Sequence, residues 1–156
     1  MPTLKQTAFL TSAVLVGLIA AGTAWAAKQT PQEAAIDYRQ SAFTMVKFHF
    51  GPMAAMVKGE MEFNAEAFTK NADAVAALSQ LPINGFIDGS YEGETGAKPE
   101  IASNMDDFKS KMETFKVEAA NLAKTAASGD MAAIKPQFGK VAESCKACHD
   151  NYRKKD

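Results

Sequence analysis

The sequence predicts an all-α protein, an antiparallel four-helix bundle with the functional motif on its last helix. Apolar residues recur alternately three and four apart over long stretches, the spacing that lines up one face of a helix. That period, near 3.5, is shared by three of four stretches and suits left-handed packing at about +20°. Glycines and prolines collect between the stretches, giving short first and third connections and a long second one, and no segment is a convincing strand.

The chain opens on an export signal. Lys5 supplies a positive start, residues 8–22 are apolar and uncharged, and Ala24-Trp25-Ala26 places small residues at both recognition positions for cleavage after Ala26. The apolar run is shorter than the roughly 20 residues of a spanning helix, which argues against a retained anchor. Residues 1–26 are therefore expected to be a secretory signal peptide and 27–156 one mature domain, in an extracytoplasmic compartment and free of the membrane.

Thr30-Pro31-Gln32-Glu33 begins the first helix: Thr30 caps it, Pro31 suits its first position and Glu33 completes a capping box. Its core row is Ile36, Arg39, Phe43, Val46, Phe50, Met53 and Val57, with a kink expected at Gly51-Pro52 and a stop at Gly59. Asn64 caps the second helix, Phe63 and Phe68 form a staple across the cap, and Phe68, Ala72, Val75 and Leu78 are its buried face. The breakers Pro82, Gly85, Gly89, Gly93 and Gly96 make residues 81–98 the long connection, whose Ile83, Phe86, Ile87 and Tyr91 fold it over something. The third helix is expected from Ile101 through Met105, Phe108, Met112, Phe115, Ala119 and Leu122 to Ala126, ending by Gly129. Asp130 caps the fourth, whose row is Ile134, Phe138, Val141, Cys145, Cys148 and Tyr152. Pro136 should bend it or delay its start, and Lys154 and Lys155 should meet the negative end of its dipole.

Cys145-Lys146-Ala147-Cys148-His149 concentrates the chemistry. Two thiols three apart on a helix share a face, and the histidine lies one turn beyond the first thiol. C-x-x-C-H in this form is the pattern of c-type haem attachment: both sulfurs bond to one edge of a porphyrin and the imidazole turns in toward iron. One haem c per chain is expected. The thiols lie in the fourth helix's core row, so the haem should sit inside the bundle with His149 as proximal ligand.

Composition removes other classes. A net charge of −1 over 156 residues gives no electrostatic footing for nucleic acid. Both cysteines belong to the motif, which leaves none for a disulfide. Zinc would need another ligand pair, and His49 is the one other imidazole. A thioredoxin-like site would need a preceding strand. A peroxidase-like enzyme would need a distal acid–base group, and the first helix offers none beside Phe43, so no enzyme is expected.

Tyr38-Arg39-Gln40-Ser41-Ala42-Phe43, His49-Phe50-Gly51, Val57-Lys58-Gly59, Lys98-Pro99-Glu100-Ile101, Ser128-Gly129-Asp130 and the run from Ser144 through Cys145, Cys148, His149 and Tyr152 to Lys155 resemble cytochrome c′ over nearly the whole mature chain. The resemblance implies a periplasmic, usually dimeric haem protein with high-spin, five-coordinate iron that binds NO and CO and serves electron transfer or NO handling. It matches Cys145 and Cys148 to the thioether positions, His149 to the proximal ligand, Arg153 to an arginine lining the proximal pocket, and Phe43 to the bulky apolar residue, often leucine, over the distal face.

The residues agree. A phenyl ring has no lone pair for iron, so Phe43 would leave the sixth position empty and obstruct it more than leucine. Arg39, a charge in an apolar row, needs a partner, either a haem propionate as in the family or an interhelix ion pair. The rival is a low-spin class II electron-transfer cytochrome with a methionine as sixth ligand. Met45 points about 200° from Phe43, Met53 lies about 15 Å along the axis, and Met105 and Met112 read as core fillers. His49 lies about 9 Å along and should be a partly exposed helix residue.

Tyr38, Met45, Phe48, Pro52 and Ala55 give the first helix a second apolar face, which one bundle cannot bury, so a homodimer through that helix is expected. The remaining expected partners are the diatomic gases NO and CO and an unnamed periplasmic redox partner.

Overall fold

Thr30 and Glu33 form the reciprocal cap that the sequence predicts. The Thr30 N–H donates to Glu33 Oε2 at 2.7 Å and the Glu33 N–H to Thr30 Oγ1 at 3.2 Å, satisfying amides that α1 (Pro31–Lys58) leaves without a partner. The computed structural model describes residues 28–155; the expected signal segment and its cleavage point lie outside them. Pro52 stands inside α1, which runs on unbroken to Lys58 and ends on Gly59 at φ 78°. Asn64 caps α2 (Ala65–Leu78) through the Ala67 N–H at 2.9 Å, and the Phe63 and Phe68 ring centroids stand 5.9 Å apart across it.

The long connection folds onto the bundle through two 3₁₀ turns, Pro82–Gly85 and Pro99–Ile101. Gly85 is where it touches α1: a Cβ there would stand 2.6 Å from Ala35 O and 2.8 Å from Arg39 Cβ, so a side chain would push the two segments apart. Two expected boundaries are corrected. Helix α3 (Met105–Ala126) begins one turn after Ile101, which is buried but belongs to the preceding 3₁₀ turn. Helix α4 (Met131–Tyr152) starts directly after its cap, Asp130, so Pro136 does not delay it. It ends at Tyr152, the last residue of its expected row, with Lys154 and Lys155 just past its negative end. Lys98 joins them there, its Nζ donating to Asn151 O at 3.0 Å and Asp150 O at 3.4 Å.

The four helices form the expected all-α bundle. Among the described residues the one β feature is an isolated antiparallel bridge between Ala97 and Arg153. The inward rows meet in one core around Phe68, Val75, Phe108, Leu122, Ile134 and Val141, each at most 2% exposed. Helix α1 packs closely on α2, α2 on α3 and α3 on α4, whereas α1 and α4 approach at far fewer points. The fourth side of the bundle is therefore a seam. It is bridged by Phe50 and Phe138, stacked 4.4 Å apart at 14°.

Candidate haem-attachment site

The motif lies on α4 beside this seam. Cys145 and Cys148 are half-buried against the core. His149 lies about 100° around the helix from Cys148, at the flank of the buried stripe, and is exposed in the polypeptide alone. It follows Cys145 by one turn, at the seam's edge. On the antiparallel partner, Phe43 is seven residues before Phe50 and Cys145 seven after Phe138, so the two lie level, about 10 Å from the stack. Arg39 and His149, each eleven residues from the stack, lie level in the same way. Phe43 is half-buried against the core, so the residues predicted as proximal and distal face one region from opposite sides.

Burial raises both thiols. Cys145 is pushed up, and Cys148 rises to about 11, with Lys111 opposing the effect, so both remain protonated at neutral pH. His149 is held below the ordinary imidazole value, first by partial burial and then by the Arg153 guanidinium, which favours the neutral, metal-ligating form. Tyr152, one turn past Cys148, donates to Asp107 Oδ2 at 2.5 Å, and this bond chiefly lifts its phenol to about 12. Lys111 completes the group, 3.6 Å from Asp107 Oδ1. The end of α4 is thus pinned to α3 beside the second thiol.

Arg39 is 2% exposed, and its partners are the connection's neutral oxygens. Nη1 donates to Gly85 O at 2.5 Å and Ser90 Oγ at 2.7 Å; Nη2 donates to Ser90 O at 2.5 Å and Thr95 Oγ1 at 2.8 Å. Its guanidinium also lies 4.5 Å over the Phe86 ring, which packs on Phe108. The ion-pair alternative for Arg39 is therefore replaced by a clamp on residues 85–95. Sequence reasoning missed Ser90 and Thr95; their signal was two small hydroxyl residues in a glycine-rich segment. Arg153 is exposed, closes α4 in an extended conformation and bears on His149 by charge. His49 is half-buried on α1, the partly exposed helix residue expected, with its Nδ1 2.9 Å from Asn71 Oδ1.

Among the described residues no three His, Cys, Asp or Glu side chains gather to chelate a bare ion. Two thiols on one face with a single imidazole suit a metal that brings its own equatorial ligands. Tyr91 Oη, in the clamped connection, is a buried oxygen with no hydrogen-bond partner among the described residues, a polar demand of the kind a bound group can meet. The residues fit a covalently held porphyrin.

The cytochrome c′ family profile matches residues 34–153. The chain belongs to that family. Cytochrome c′ from Halomonas halodenitrificans is 41% identical over 78% of this chain and 96% of its own length. Cytochrome c prime from Shewanella frigidimarina superposes with a TM-score of 0.79 at 46% identity, covering 81% of this chain and 98% of the other. A nitric oxide complex of a cytochrome c prime variant from Alcaligenes xylosoxidans superposes with a TM-score of 0.75 at 41% identity, covering 80% and 97%. Cytochromes c′ are four-helix haem proteins, and haem c, covalently attached, is the cofactor.

Proposed function

We propose that the protein is a periplasmic, five-coordinate c-type haem protein that takes up NO or CO at an open distal position and can pass single electrons. Cys145 and Cys148 would hold the haem through thioethers, His149 would ligate its iron, and Phe43, Arg39 and Arg153 would complete the pocket. Bound haem supplies a redox-active iron with one position left free by a single histidine. Cys145 and Cys148 fix the group to α4, and the neutral His149 ring gives its lone pair. Phe43 excludes water and offers no hydrogen bond, which disfavours O₂ and leaves NO and CO. Arg39 holds the connection over the region, while Arg153 keeps positive charge beside the His149 ring. The first helix offers no acid–base group one turn to either side of Phe43, where Arg39 and Lys47 stand as cations, which supports reading the protein as a binder and carrier and not as an enzyme.

The observation that carries this reading is the level placement of Phe43 with Cys145 across the seam. It speaks against the low-spin alternative. Met45 is 44% exposed on the outer side of α1, and Met53 and Met56 are buried past the Phe50–Phe138 stack, away from the thiols. The binding of nitric oxide by the Alcaligenes xylosoxidans relative supports the choice of gas. Optical and EPR spectra of the matured protein decide it: high-spin iron is expected, and a low-spin methionine-ligated spectrum would overturn the reading. The second apolar face of α1, with Tyr38 42% and Phe48 74% exposed, supports a homodimer through that helix.

A further inference from the structure

We propose that Thr95 is a positioning residue for the axial histidine, its hydroxyl tying the turn that carries His149 to α1 on the other side of the seam. The proposal rests on the reading of His149 as iron ligand and adds what aims it.

The direction of the His149 ring depends on the main chain of the turn that carries it. That turn is held from outside α4. The Arg153 N–H donates to His149 O at 3.1 Å, and Arg153 is paired with Ala97 through Lys98 N–H to Tyr152 O at 2.9 Å and Lys154 N–H to Gly96 O at 2.8 Å. The Ala97 N–H donates to Thr95 Oγ1 at 3.1 Å, and the same oxygen accepts from Arg39 Nη2 at 2.8 Å. Thr95 O accepts from Lys154 Nζ at 2.9 Å. One hydroxyl, on a residue 9% exposed, therefore joins the bridge to a charged donor anchored on α1, one turn before Phe43. A shift of α1 reaches the axial ligand by this route without crossing the iron.

A buried hydrogen bond from a charged donor is strong enough that its loss speeds local opening about tenfold or more. Thr95→Val keeps the shape and removes the hydroxyl; Thr95→Ser keeps the hydroxyl. In the haem-loaded protein, Thr95→Val is expected to speed amide exchange at Lys98, Arg153 and Lys154 about tenfold. It should also shift and broaden the ferrous iron–histidine stretching band in the resonance Raman spectrum. Thr95→Ser should match the parent in both. If Thr95→Val does not fold, Thr95→Ala removes the same oxygen without apolar bulk.

Unchanged exchange in the variant would overturn the strap. Faster exchange with an unmoved iron–histidine band would reduce Thr95 to a loop tether and overturn the positioning role. A Thr95→Ser protein behaving like Thr95→Val would assign the effect to the methyl group. A parent spectrum without any iron–histidine band would instead overturn the axial role of His149, and the proposal with it.

Discussion

Phe43 and Arg39 are one turn apart on α1 and answer different demands. Phe43 is half-buried against the core, and in the proposed pocket it is inert: its ring would close the face opposite His149 and donate nothing. Phe43→Leu should speed CO association about tenfold, equivalent to about 1.4 kcal/mol of barrier, and flash photolysis of the CO complex measures it. An unchanged rate would remove the ring from the distal path. Arg39 was legible in the sequence as a cation in an apolar row, hence as a residue that must have partners. Which partners was not legible. The acceptors lie 46 to 56 residues further on, in a segment with no period, and two are backbone carbonyls that no side-chain pattern announces. The motif itself was fully legible, because Cys145, Cys148 and His149 are fixed relative to one another by helical geometry alone.

At the scale of the element, caps were read correctly because their partners are three residues away. The Thr30–Glu33 box carries a pH signature: the Thr30 backbone and hydroxyl bonds hold the Glu33 carboxyl below its ordinary value. A depressed carboxylate contributes stability above its unfolded value, about 4.3, and that contribution is lost as pH falls through its lower folded value. Thr30→Ala should cost about 1 kcal/mol in urea unfolding and return Glu33 toward an ordinary titration by NMR. A Glu33 titration untouched by the substitution would refute the box. The start of α3 was misplaced for a related reason. Ile101 and Met105 keep the helical interval, but Pro99 opens a 3₁₀ turn, and Asn104 spends its amide on Glu100 O at 2.8 Å, so the helix restarts after it. Periodicity does not distinguish one helix from a turn followed by another in phase.

For the whole molecule, the bundle and its order of helices followed from period and breakers, while the seam did not. Nothing in a one-dimensional row says that α1 and α4 will stand apart along part of their length. The outer face of α1 raises the question of assembly. Tyr38, Met45 and Phe48 form an exposed stripe about 15 Å long. In a symmetric pair each buried phenylalanine counts twice, at about 1.5 kcal/mol or more each, so Phe48→Asp should weaken dimerisation at least about a hundredfold. Sedimentation at micromolar concentration should then show a dimeric parent and a monomeric variant; a monomeric parent would reject the interface.

The stacked rings of Phe50 and Phe138 divide the fourth side of the bundle. Three sides are closed by continuous helix packing; along the fourth, α1 and α4 meet at few points and are held by that aromatic pair and, toward the end of α4, by the tie that runs from Arg39 through Thr95 to Ala97. A planar group bonded to Cys145 and Cys148 would lie between these two fastenings, and a change at either one would reach it.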